Sequence, residues 1–145
     1  MRGVIFQEGI LRISGIVKCI ERSPYEAFIN FKSTDLNNVS CLTVKGTELG
    51  LLRDLNAGDK YSANCILWLA KVIQSYATPM KTFIEQPGGE NGTIVRGRVL
   101  AVVDSETLIL EIDGIDDTLK VELEECGNFC VGKYLELRGE LHVEI

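Results

Sequence analysis

Histidine, tryptophan and proline are scarce in this chain, at one, one and three among 145 residues. The lone histidine, His142, and the single close cysteine pair, Cys126 and Cys130, leave too few ligands for a four-ligand zinc site. No glycine-rich phosphate loop opens a helix. No nucleophile stands beside a base in the sequence, and the carboxylates cluster in turns. His142 alternates outward near the C-terminus and reads as a surface histidine. The inventory predicts no catalytic residue, no cofactor and no metal. Asp113-Gly114-Ile115-Asp116-Asp117 has the oxygen donors of a hard-cation loop without the spacing of an EF-hand, and reads as a solvated acidic turn.

Long apolar runs are also missing. Nothing approaches the ~20 residues of a membrane-spanning helix. Met1 to Glu8 lacks the ~7–15-residue apolar region of a secretory signal. These absences lead to the expectation of a cytoplasmic protein with no membrane partner. Cysteine is present in an odd number, five, which argues against a closed disulfide framework. Cys19, Cys41 and Cys65 fall inside apolar strand patterns, where each is expected as a small buried hydrophobe. Free thiols suit a reducing compartment.

The chain carries a net charge of −6, unevenly spread. Residues 1–84 hold ten Lys/Arg and seven Asp/Glu, whereas residues 85–145 hold five and fourteen. An acidic protein gains little from the electrostatics of phosphate binding, so any polyanion would meet the first half.

Apolar residues are plentiful, 46% of the chain, and they alternate. Period two is the signature of half-buried strands. Leu11, Ile13 and Val17 share a face with Cys19. Ala27, Ile29 and Phe31 oppose Glu26, Asn30 and Lys32. A third strand covers Val39–Val44, and a short helix is predicted near 47–56, capped by Thr47 and stopped by Gly58. Tyr61, Ala63, Cys65, Leu67 and Leu69 share the next face, and Lys71–Phe83 is expected as a further strand. Residues 85–92 read as a linker. Alternation then restarts through Val95, Gly97, Val99, Ala101 and Val103, through Leu108, Leu110 and Ile112, through Leu119, Val121 and Leu123, and through Leu135, Leu137, Leu141, Val143 and Ile145.

"GDKYSANCILWL" from Gly58 and "GKYLELRGELHV" from Gly132 agree in core phase when the glycines are matched. Ser14-Gly15-Ile16-Val17 matches Arg96-Gly97-Arg98-Val99 in the same way. The chain is therefore expected to be all-β, with two related units over 1–84 and 93–145. The strand order of the first, with its glycine-bent long strand and short helix, resembles the OB fold, a five-stranded barrel. The second unit lacks a fifth strand. Its last strand is expected to pair on both edges, with the N-terminal segment, the first unit or a second subunit.

The resemblance to OB barrels implies a binding face on strands two and three, offering Tyr25, Phe28, Asn30 and Lys32, with Trp68 nearby. Leu42, Val44, Ile66 and Trp68 are placed on the same outer face, and an apolar outer face wants a partner surface. The leading expectation is a non-catalytic binding module acting through protein contacts, a homodimer included. The alternative is a single-stranded oligonucleotide-binding accessory protein, since aromatics beside cations serve that purpose. A small metal-dependent hydrolase is a third class.

Overall fold

The computed structural model describes residues 11–33, 41–46, 54–87, 92–115 and 117–143. Nine strands cover most of them: β1 (Leu11–Arg22), β2 (Ala27–Ser33), β3 (Cys41–Gly46), β4 (Lys60–Tyr76), β5 (Phe83–Glu85), β6 (Gly92–Asp104), β7 (Thr107–Glu111), β8 (Thr118–Leu123) and β9 (Tyr134–Val143). The all-β class expected from alternation is what the chain adopts. The helix predicted near 47–56 falls largely outside the described residues; its last three, Asp54–Asn56, are turn and coil.

β8 shows why such segments become strands. Thr118, Lys120 and Glu122 point outward, while Leu119, Val121 and Leu123 are buried, so one pleated face enters the core and the other stays wet. The same logic buries Leu108 and Leu110 on β7 and Leu135, Leu137 and Leu141 on β9.

All nine strands belong to one sheet that closes on itself twice. One ring runs β1–β2–β3–β9–β4 and returns to β1; the other runs β6–β7–β8–β4–β9 and returns to β6. β4 and β9 are common to both. Neighbours are antiparallel except β3 with β9 and β4 with β8. Closure leaves few free edges, which in open sheets invite aggregation. β9 pairs along one edge with β4 and along the other with β6, so the strand lacking from the second half is supplied by the first.

The β1–β4 and β6–β9 pairs run in matching register. β1 meets β4 from Leu11↔Cys65 to Ile16↔Lys60, and β6 meets β9 from Thr93↔Gly139 to Arg98↔Tyr134. A bulge falls between Val17 and Cys19 in one ring and between Val99 and Ala101 in the other. Gly58 and Gly132 take φ values of +93° and +94°, a backbone region that favours glycine. Their N–H groups donate to Val17 O and Val99 O, each at 2.8 Å. Val17 and Val99 return the bond to Asp59 O and Lys133 O, again at 2.8 Å.

Three expectations need correction. Lys71–Tyr76 is not a separate strand but the second half of the 17-residue β4. A register shift between Trp68 and Lys71, with Leu69 at φ 52°, flips the facing: Leu67 and Ala70 are buried and Leu69 is 40% exposed. A bulge adds one residue and so breaks the alternation that placed Leu69 inside. Second, Leu42 and Val44 lie fully in the core, not on the outer face; the outward residues of β3 are Thr43 and Lys45. Third, only Cys65 of the three strand cysteines is buried. Cys41 is half-buried, and Cys19, just past the bulge in β1, is exposed.

Candidate functional site

Burying Ala27 and Ile29 turns Phe28, Asn30 and Lys32 outward on β2. Burying Leu42 and Val44 turns out Thr43 and Lys45 on β3. On β9, buried Leu141 leaves Glu140 and His142 outward; on β4, buried Leu67 leaves Ile66 and Trp68. Cross-strand pairing lines these up: Phe28 lies opposite Lys45, Lys45 opposite His142, and His142 opposite Ile66. Trp68 lies opposite Glu140 in the adjoining row.

Lys45 is the hub. Its Nζ is 3.0 Å from Glu26 Oε2 and 3.8 Å from Glu140 Oε1. It also stands 6.0 Å from the ring centroids of both Phe28 and Trp68, at the outer limit for a cation–π contact. The His142 ring stacks on Trp68 with centroids 4.5 Å apart and planes tilted by 41°. Its Nε2 is 3.4 Å from Glu140 Oε1. His142 faces outward as expected, but its neighbours leave it 9% exposed, so it is no ordinary surface histidine. Burial lowers its pKa below the usual histidine value, the hydrogen bond with Glu140 opposes this, and nearby Lys45 adds to it. The imidazole is therefore neutral at neutral pH.

The five residues predicted from sequence fall in four places. Phe28 and Trp68 converge on Lys45. Asn30 sits one outward step along β2 from Phe28, where its Nδ2 donates to Thr43 Oγ1 at 2.9 Å. Tyr25 stands in the β1–β2 turn, 84% exposed, beside Glu26. Lys32 lies at the far end of β2, opposite Ile16 of β1 and Cys41 of β3. Lys45, His142, Glu140 and Glu26 were missed. Outward phase could have nominated Lys45, but its neighbours come from the parallel rung to His142, which local pattern does not encode.

The arrangement offers aromatic surface with compensated charge. Two carboxylates already hold the one ammonium at its centre, so a phosphate would have to displace them. Polar pairs hold the row from behind: Gln86 Oε1 accepts from Thr43 N–H at 2.7 Å, and Gln86 Nε2 donates to Thr43 O at 2.7 Å and to Thr93 Oγ1 at 3.1 Å. The glutamine side chain thus stands in for a strand along β3 and ties it to β6.

In the acidic 113–117 turn, Asp117 Oδ2 accepts the Arg12 backbone N–H at 3.1 Å, and Asp113 N–H donates to Thr82 Oγ1 at 2.6 Å. Among the described residues, no group of three His, Cys, Asp or Glu is placed to hold a metal, and no helix is long and apolar enough to cross a membrane. No family model, curated protein or solved structure matches this chain.

Proposed function

We propose that this protein is a non-catalytic binding module that acts through protein–protein contact at the Phe28–Lys45–His142–Trp68 face. The observation that carries the reading is the state of Lys45. Its charge is held by Glu26 and Glu140, which leaves a half-buried aromatic floor with a polar rim. Protein interfaces favour that composition, aromatic at the centre and polar at the edge. Nucleic-acid interfaces depend instead on cations free to replace phosphate counterions.

We read the scaffold as two OB-like units, 1–84 and 93–145, that share their fourth strands. Each ring has five strands, as the OB barrel has. The paired bulges and the paired glycines support descent from one unit. Five free thiols favour a cytoplasmic setting.

The test uses immobilised protein, its Trp68→Ala and Phe28→Ala variants, and two probes: cell extract and a fluorescent oligothymidine strand. The expected result is protein captured by the parent and lost by both variants, with no oligonucleotide bound at low salt. Trp68-dependent binding of the oligonucleotide at low salt, weakening as salt rises, would replace this reading with the nucleic-acid one.

A further inference from the structure

His142 stands on the outward side of β9, yet its neighbours leave it only 9% exposed. The charged groups packed around it come from three parts of the chain. Lys45 meets it from β3 across the parallel rung, Glu26 reaches in from the β1–β2 turn, and Glu140 lies on β9 itself. β4 contributes Trp68, stacked on the imidazole, and Ile66, opposite it in register; neither is charged. Phe28, opposite Lys45 on β2, is uncharged as well.

One carboxylate oxygen links these groups. Glu140 Oε1 is 3.4 Å from His142 Nε2 and 3.8 Å from Lys45 Nζ, so the ring and the ammonium compete for it. Lys45 has a closer carboxylate in Glu26, at 3.0 Å. Among the described residues, Glu140 is the carboxylate within ion-pair reach of the ring. A neutral ring lets the oxygen serve both. An imidazolium donates from both nitrogens, and its bond to a carboxylate is charge-assisted, with an optimum of roughly 2.7–2.9 Å. It also repels the ammonium across the rung. Lys45 can then give up Glu140 and keep Glu26. Burial holds the pKa of the ring below the ordinary histidine value, Glu140 raises it, and Lys45 lowers it further. The charged form stays within reach because Glu140 stands beside the ring and the face of an indole attracts a cation.

We propose that His142 is a proton-operated switch in the Trp68 face: on protonation the ring takes Glu140 from Lys45, and the face loses the arrangement that binds a partner. The control of binding rests on the protein-contact function proposed above. A partner that covers the aromatic floor removes the last water from the ring. A neutral imidazole tolerates this, whereas an imidazolium loses solvation. Binding and protonation therefore oppose each other, and by linkage acid releases the partner.

The chain has one tryptophan and one histidine, so each reports without ambiguity. A charged imidazole quenches a stacked indole more strongly than a neutral one. Trp68 emission should fall in one step at a pH below the ordinary histidine value, and the imidazole C–H resonances should titrate with the same midpoint. His142→Gln should lack the step. Glu140→Gln should move it to lower pH, because the carboxylate favours the charged ring; Lys45→Met should move it to higher pH, because the ammonium disfavours that ring. A histidine that only fills space gives no such opposed shifts. Protein captured from extract through Trp68 at about pH 8 should elute as pH falls through the midpoint, and should stay on His142→Gln down to about pH 5. The switch is overturned if emission and resonances share no step, if the Glu140 and Lys45 variants shift it in the same direction, or if a captured protein stays on the parent through the step. Absence of any Trp68-dependent capture refutes the protein-contact function instead, and the titration still decides the switch.

Discussion

Replacing Gly139 with alanine probes the place where the two rings share their strands. A Cβ there would sit 2.9 Å from the Trp68 carbonyl oxygen, 3.0 Å from Leu67 Cγ and 3.1 Å from Ala70 Cα. Two of these three atoms are backbone of β4 at its bulge, so no rotamer change relieves the contact. In the first ring the same register position is filled by Cys65, whose side chain is accommodated and buried. The constraint therefore belongs to the bulge at Leu69 and not to the strand pair as such. Overpacking a dense core costs roughly 1–3 kcal/mol, and an alanine that cannot be relieved by a side chain belongs near the top of that range. Alanine returns up to about 1 kcal/mol by restricting the unfolded chain, which leaves a net loss near 2 kcal/mol. For a domain of this size that is a fall in Tm of roughly 6–8 °C. Urea unfolding followed by the fluorescence of Trp68 measures it. Gly92→Ala is the control, because no atom lies within 4 Å of the added carbon, and it should stay within about 0.5 kcal/mol of the parent. If Gly139→Ala matches that control, β4 and β9 do not approach as described and the shared-strand account of the core fails.

Two further outcomes follow from buried titratable groups. His142 has a pKa lowered from 6.5, chiefly by burial, so the folded state binds fewer protons than the unfolded one. Its share of stability is complete above that ordinary value, declines as pH falls below it, and stops declining once the buried ring itself protonates; His142→Gln should flatten this part of the stability profile, and identical profiles for the two proteins would refute the assignment. Cys65, with its thiol pushed up to about 12 by burial, should resist iodoacetamide in the native protein while exposed Cys19, Cys126 and Cys130 are alkylated; labelling of Cys65 as fast as Cys19 would contradict its place in the core.

Alternation made the strands legible because each has one dry face. Leu108 with Leu110, Leu119 with Val121, and Leu135 with Leu137 all lie in the core that period two assigns them. The reading went wrong where the backbone itself leaves that period. Leu69, Cys19 and Val103 each follow or sit in a bulge, and a bulge shifts every later side chain to the other face; Val103, expected on the core face of β6, is exposed. Strand sharing was only half visible. The four strands read in the second half pointed to pairing on both edges of the last one, but whether the N-terminal segment, the first unit or a second copy supplied the partner depends on long-range pairing. The candidate site divides in the same way. Phe28 and Trp68 were nominated by outward phase together with the resemblance to OB barrels, whereas Lys45, Glu140 and His142 come together through one parallel rung between distant strands. Lys32 was nominated too, yet it lies beside Ile16 and Lys60 on another part of the surface.

Sharing β4 and β9 has a cost and a consequence. Without β9 the first ring would leave β3 and most of β4 unpaired on one side, and without β4 the second would lose its contacts to both β8 and β9. Leu67 and Leu141 lie directly opposite each other where the rings meet, both fully buried, and the apolar residues of the two rings form one cluster. Neither half thus has a complete core of its own, which is the condition for all-or-none unfolding.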